Sequence, residues 1–219
     1  MSSDAAKERL YQAIGRVAAA LGNAGRLQLL EYVAQGERSV DALAAMTGLS
    51  VANTSKHLQA LRQAGLVTAR KEGLRVYYSI AGDDVSRLLA SLRGVAEHRA
   101  ADVDKLLQTW LAHRDELEPV PAREVLARLK KGLVTVLDVR PAEEFAAGHL
   151  PGALNVPVEK LQAYLSKLPK RREVIAYCRG PYCLMSFDAV EALRKRGFKA
   201  KRLADGYPEW RAAGLPIER

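Results

Sequence analysis

Val174-Ile175-Ala176-Tyr177-Cys178-Arg179-Gly180-Pro181-Tyr182-Cys183-Leu184-Met185-Ser186-Phe187 is the stretch on which the reading of this chain turns. Its first four residues form a short apolar run, the mark of a buried strand. Gly180 and Pro181 force a tight turn. Between Leu184 and Arg196, Leu184, Phe187, Val190 and Leu193 recur at helical spacing. The order is strand, tight loop, helix, with Cys178 at the mouth of the strand. Loop amides and a helix N-terminus converge there, which favours an anion, lowers a thiol pKa and exposes a thiolate. Taken alone, Cys178 also has a plainer reading as a small buried apolar residue. Both cysteines of the chain, Cys178 and Cys183, lie in this loop.

The flanking sequence extends the alternation. Pro121 suits the start of a helix over residues 122–130. Apolar strands are expected at 133–139, 154–156, 174–177 and 200–203, with helices at 143–147, 161–168 and 184–196. Strands alternating with helices imply a central, mostly parallel sheet, and ligands of such sheets bind at the C-terminal ends of the strands, where Cys178 falls.

This half resembles the rhodanese sulfurtransferases. The loop from Cys178 to Cys183 is similar to their active-site loop, and Asp138-Val139-Arg140 to their Asp-x-Arg strand. Gly148-His149-Leu150-Pro151-Gly152-Ala153 is similar to their Gly-His-Ile-Pro-Gly-Ala turn, and Asp205-Gly206-Tyr207-Pro208-Glu209-Trp210 to their closing segment. The resemblance covers roughly residues 120–219, in the family's order. It implies that Cys178 takes a sulfane sulfur as a persulfide within a loop made by Arg179, Gly180, Pro181 and Tyr182. Asp138 is architectural in such enzymes. Arg140 and Arg179 are read either as attracting anionic donors or as pairing with carboxylates, and Arg140 is assigned to the second role. His149 is read as structural. The sixth loop position, often Arg or Thr, is Cys183 here. Two readings of Cys183 stand open: packing at the first helical turn, or a resolving thiol that attacks the persulfide and leaves a disulfide or sulfur-bridged pair. A direct disulfide requires Cα atoms within about 7 Å; a loop wrapped around one thiolate can hold them closer or farther than that, and added sulfur atoms would relax the limit.

The first half reads differently. Leu10, Ile14, Val17 and Leu21 give an amphipathic helix over residues 4–21, which Asn23-Ala24-Gly25 breaks. A second helix runs over 26–34, with Leu27, Leu30 and Val33 inward. Ser39 caps a third, and Ser50 caps a fourth over 51–63 whose inner face is Thr54, Leu58 and Leu61. Two alternating runs, 66–70 and 74–80, form a hairpin around Lys71-Glu72-Gly73. Helix, turn, helix and hairpin make a winged helix-turn-helix. It is similar to the ArsR family of bacterial repressors over about residues 8–114, on Ala20-Leu21…Arg26-Leu27, Leu49-Ser50…Ser55-Lys56-His57-Leu58, and Gly73…Val76-Tyr77-Tyr78. Many members bind metal through cysteines in the helix that begins here at Ser39-Val40-Asp41, and this half has none. His57, His98 and His113 do not form a ligand set, and His98 and Asp102 are read as a solvated helix face. Neither metal nor cofactor is expected. On the recognition helix Ala52, Asn53, Ser55, Lys56 and Gln59 face outward, Asn53 and Gln59 suited to base edges, Ser55 and Lys56 to phosphates. Arg70, Lys71 and Arg75 on the wing suit phosphates or a minor groove. A long helix over 83–114 carries Val85, Leu88, Leu92, Val95, Val103, Leu106, Leu107 and Trp110 on one side. In the family this helix and the first one make a homodimer.

Glu118-Pro119-Val120-Pro121 stops that helix and reads as a stiff linker. The domains are therefore expected at 1–117 (DNA binding and dimerisation), 118–121 (linker) and 122–219 (α/β, rhodanese-like). Of the formal +9, little belongs to residues 1–118, with 15 Lys and Arg against 14 Asp and Glu, whereas residues 119–219 have 19 against 11. A basic chain suits nucleic acid and also anionic small substrates. No signal peptide is read at the N-terminus, no apolar run approaches the roughly 18 residues of a membrane span, and two cysteines do not make a disulfide scaffold. The expectation is a soluble cytoplasmic regulator whose partners are operator DNA, a second copy and a sulfane-sulfur donor. A sulfurtransferase with an accessory DNA-binding domain, and a thiol sensor of oxidants or arsenic, are the rival readings.

Overall fold

The computed structural model describes residues 3–111 and 119–219. Its contacts divide the chain into two compact units, one through Val85 and one from Ser86.

In the first unit α1 (Ser3–Leu21) is followed by α2 (Ala24–Ala34). The break is shorter than expected: the Asn23 side chain accepts from the Arg26 amide, so Ala24 and Gly25 already belong to α2. Strand β1 (Arg38–Ser39) was not legible in the sequence, since two residues carry no period; it pairs with β3. Then come α3 (Val40–Thr47) and α4 (Val51–Gln63), capped by the Ser39 and Ser50 hydroxyls. Gly48, at φ 70°, occupies the left-handed conformation that turns the chain between them. Strands β2 (Val67–Glu72) and β3 (Arg75–Ile80) pair antiparallel around a Gly73-Leu74 turn, in the order β1-β3-β2. Leu29, Leu30, Leu43, Leu58 and Leu61 are fully buried and form this unit's core. Leu27, expected inward, is only half-buried, and Leu29 takes its place.

The division falls inside α5 (Asp83–Arg99), and α6 (Ala101–Leu111) follows it. One helix was expected here. Two form, because the charges suit two sets of helix ends: His98 and Arg99 close α5, and Asp102 opens α6. The expected stretch beyond 111, with His113, lies outside the described residues. The presumed linker is partly sheet: β4 (Pro119–Val120) pairs with β8 as an edge strand, where a proline costs no ladder bond.

The sheet of the second unit is wholly parallel, in the order β4-β8-β7-β5-β6. The chain continues through α7 (Ala122–Lys130), β5 (Val134–Asp138), α8 (Ala142–Ala147) and β6 (Leu154–Asn155). The helix expected over 161–168 is a single turn, α9 (Leu161–Tyr164), between two 3-10 turns. Then follow β7 (Glu173–Tyr177), α10 (Leu184–Lys195), β8 (Ala200–Leu203) and α11 (Tyr207–Ala212), the last not anticipated as a helix. The apolar run of β7 is continuous because both its faces are covered. Val174, Ala176 and Cys178 enter one core with Val190 and Leu193 of α10, while Ile175 and Tyr177 enter another with Val125 and Trp210.

Candidate functional site

Cys178 follows the last residue of β7 and is 1% exposed, so its sulfur is buried and not the exposed thiolate expected at the strand mouth. Five residues later, half-buried Cys183 is the N-cap of α10. Their Cα atoms are 6.1 Å apart and their sulfurs are joined as a disulfide. Of the two readings left open for Cys183, the loop geometry permits the bonded one. The loop doubles back: the Cys183 amide donates to the Gly180 carbonyl, which shortens the path between the sulfurs.

The arginines are committed elsewhere. Arg140 and Asp138 are both fully buried, and Arg140 donates to Asp138 through its amide, Nε and Nη2, the last at 2.6 Å. Nη2 also reaches the Gly148 carbonyl at 2.8 Å, which ties β5 to the turn at Gly148. Burial opposes the Arg140 charge, but Asp138, with Tyr177 and Glu144 behind it, raises the pKa on balance. The Tyr177 hydroxyl donates to Asp138 and accepts from the Leu150 amide. Burial first, and then the Asp138 charge, push its pKa up. The Arg140 guanidinium also lies over the Tyr207 ring, 4.5 Å from its centre. Arg179 forks onto Glu144 of α8, at 3.0, 3.0 and 2.6 Å. Both arginines thus pair with carboxylates in this structure. Glu144 was invisible in the sequence, because nothing local distinguishes a buried acid in an Ala-Glu-Glu-Phe helix from a solvated one.

Behind the loop stands Gly206, where a Cβ would fall 2.4 Å from the Arg179 carbonyl group and the Gly180 nitrogen. Only glycine permits that backbone approach. The Gly206 amide donates to Glu209, whose carboxylate also pairs with Arg93 of α5. From the same helix Glu97 accepts the Tyr182 hydroxyl, so the second unit holds its cysteine loop from outside as well. Arg93 and Glu97 carried no signal in the sequence, since their contacts to Glu209 and Tyr182 span more than 80 residues. His149 stacks on Phe145, ring centres 3.7 Å apart, and its backbone bridges to Glu218, as suits a structural residue.

In the first unit Thr54, Leu58 and Leu61 are buried, which leaves Ala52, Asn53, Lys56 and Gln59 exposed on the opposite side of α4 and Ser55 half-buried. On the wing Lys71 and Arg75 are exposed. Arg70 is already engaged, forked onto Glu37 at 3.1 and 2.6 Å, bonded to Glu72 at 2.6 Å, and over the Tyr77 ring. Among the described residues no group of three or more His, Cys, Asp or Glu could hold a metal ion, and no helix is long and apolar enough to cross a membrane.

A winged helix with an exposed polar recognition helix, on one chain with a parallel sheet that ends in a paired-thiol loop, defines a DNA-binding regulator carrying a sulfurtransferase-like domain. Residues 23–69 match the family model of the bacterial regulatory proteins of the arsR family, and residues 121–213 match that of the rhodanese-like domain. The HTH-type transcriptional regulator Rv0324 of Mycobacterium tuberculosis is 47% identical over 97% of this chain and 93% of its own length. A sulfurtransferase of Allochromatium vinosum is 34% identical over 38% of this chain and 78% of its own. The solution structure of a homodimeric winged helix-turn-helix DNA-binding domain from Mycobacterium bovis is 46% identical, covering 47% of this chain and 93% of that one, with a TM-score of 0.42. The chain belongs to the ArsR family of transcriptional regulators, in a form that carries a C-terminal rhodanese-like domain.

Proposed function

We propose that this regulator is a cytoplasmic, homodimeric repressor that senses sulfane sulfur through Cys178 and Cys183 and leaves its operator when they react. The observation that carries this reading is the thiol pair itself, at the mouth of a parallel strand with Cα atoms 6.1 Å apart. The chemistry balances without an added oxidant. The Cys178 thiolate attacks the outer sulfur of a persulfide donor and displaces the donor's thiolate, giving a Cys178 persulfide. The Cys183 thiolate then attacks Cys178 Sγ and expels hydrosulfide, leaving the disulfide. Two thiols are oxidised, and the transferred sulfur is reduced to sulfide. Operator binding measured with and without polysulfide, with intact mass in parallel, tests this. The expected result is operator release that tracks first a gain of one sulfur and then the loss of two hydrogens. Steady sulfur transfer to cyanide with no operator release would instead favour the enzyme reading.

The dimer reading rests on apolar side chains left in solvent: Leu10, Tyr11 and Ile14 of α1 are each more than half exposed, and Leu88, Leu92 and Val95 of α5 are exposed too. Single exposed apolar residues are ordinary, but rows at helical spacing mark a face that wants a partner. Sedimentation at micromolar concentration should give a dimer, and a monomer would defeat this. Such a dimer fits a near-palindromic site with half-sites about one helical turn apart.

In this reading α4 lies in the major groove. Lys56→Ala should weaken binding to all sequences and lower the slope of log K against log salt by about 0.9, the share of one phosphate. Asn53→Ala or Gln59→Ala should cost roughly 1–3 kcal/mol on the preferred operator alone. Unchanged titrations for all three would show that α4 does not read the site.

A further inference from the structure

Strands β5, β7 and β8 start side by side: Val134 is level with Glu173, and Val174 with Ala200. The residues running into each start are basic, with Lys130 and Lys131 before β5, Lys170, Arg171 and Arg172 before β7, and Lys199 before β8. All six are exposed. The Val174 amide donates to the Lys199 carbonyl at 2.8 Å, which holds the last two groups against each other. Segments 128–133, 167–173 and 194–201 together hold twelve of the nineteen Lys and Arg of residues 119–219, and one of the eleven acids, Glu173. The rest of that half then has seven cations against ten acids, a net −3.

The cationic surplus is therefore not arranged to draw an anion to Cys178. It lies at the opposite end of the sheet, roughly 16 Å away along the five residues of β7 at about 3.3 Å each. Part of it has an ordinary account. Lys130 and Lys195 sit in the last turns of α7 and α10, where the helix dipole favours cations, and Lys195 pairs with Glu191. Arg128 pairs with Glu124 and Glu173. Arg171, Arg172 and Lys199 lie in loops and have no such account. Collected on one edge they repel one another, an arrangement that a polyanion relieves. Strands about 4.8 Å apart put the row across roughly 10 Å, a span that covers several phosphates of a duplex carrying one charge per about 3.4 Å of each strand.

We infer that the strand-start edge of the rhodanese-like domain is a second DNA contact, which binds the phosphodiester backbone of double-stranded DNA without regard to sequence. Duplex DNA is the polyanion chosen because the same chain carries the winged helix. Once α4 is on its site, the local DNA concentration around a tethered basic edge is high.

The test uses the full chain and two variants of equal charge. One is Arg171→Gln, Arg172→Gln and Lys199→Gln together. The control, Arg123→Gln, Lys160→Gln and Arg219→Gln, removes three exposed cations away from the edge. Affinity for operator and for scrambled duplex is measured over a salt series. The edge variant should lower the salt slope by about 2–3, at about 0.9 per phosphate. Both DNAs should weaken by the same factor, with unfolding temperature and sulfur uptake at Cys178 unchanged. The control should keep the parent slope. An edge variant with the parent slope overturns the inference. So does a control whose slope falls as far, since net charge alone would then explain the loss. Binding that weakens on the operator and not on scrambled duplex also overturns it.

Discussion

Cys178→Ser should take up no sulfur from polysulfide or a low-molecular-weight persulfide, and should stay on the operator when the donor is added. The effect is all-or-none. The first 118 residues hold no cysteine, and Cys183 is the only other thiol in the chain. Cys183→Ser separates the two steps. It should accumulate the Cys178 persulfide, visible as one added sulfur, and fail to proceed to the disulfide. If the disulfide is the signal, that variant stays bound to DNA as well. Release from DNA worth measuring means a complex weakened at least tenfold, about 1.4 kcal/mol. A Cys178→Ser protein that still leaves the operator on polysulfide treatment would break the link between the two domains' functions. A Cys183→Ser protein that responds normally would leave Cys183 as a packing residue.

Asp138→Ala should be among the most damaging single changes away from the cysteines. Asp138 is fully buried, and it receives Arg140 through three nitrogens and the Tyr177 hydroxyl besides. Removing it leaves the fully buried Arg140 guanidinium without its counter-charge. Breaking a buried pair from one side costs about 3–5 kcal/mol. Against a total stability of roughly 5–15 kcal/mol, that is enough to unfold much of the domain at ordinary temperature. Arg140→Ala should cost a similar amount, because it strands the carboxylate instead. Asp138→Leu combined with Arg140→Met should recover much of the loss, since no buried charge is left without a partner. Thermal unfolding of the three proteins checks this. If the single changes move stability by less than about 1 kcal/mol, the pair is not what ties β5 to the Gly148 turn.

The sequence carried most of what has a strong local signal. Periodicity is local, so the strand-loop-helix around Cys178 and the inner face of α4 were found, and Thr54, Leu58 and Leu61 proved buried. The serine caps at Ser39 and Ser50 were found for the same reason: a cap needs only the next three residues. Alternation of short apolar runs with helices was enough for a parallel sheet. Short elements fared worse. Two-residue β1 and β4 have no period to read, and they exist only because β3 and β8 offer them a ladder. The split between α5 and α6 turns on charges at helix ends, a weaker cue than a proline or glycine.

What only the tertiary structure decided is who meets whom. In the sequence Arg179 reads as drawing an anionic donor or as pairing with a carboxylate; only the fold shows the partner it pairs with, Glu144, 35 residues away. Gly206 is legible only as part of a segment that resembles the rhodaneses; why glycine stands there is plain only once the Arg179 backbone lies against it. The distance between the two sulfurs depends on how the loop doubles back, which no spacing of five residues fixes by itself. The charge count gave a surplus of cations in the second half, and read linearly it fell on the domain with the thiols. The sheet sends most of those cations to the strand starts and Cys178 to a strand end, because parallel strands collect all their beginnings on one edge and all their ends on the other.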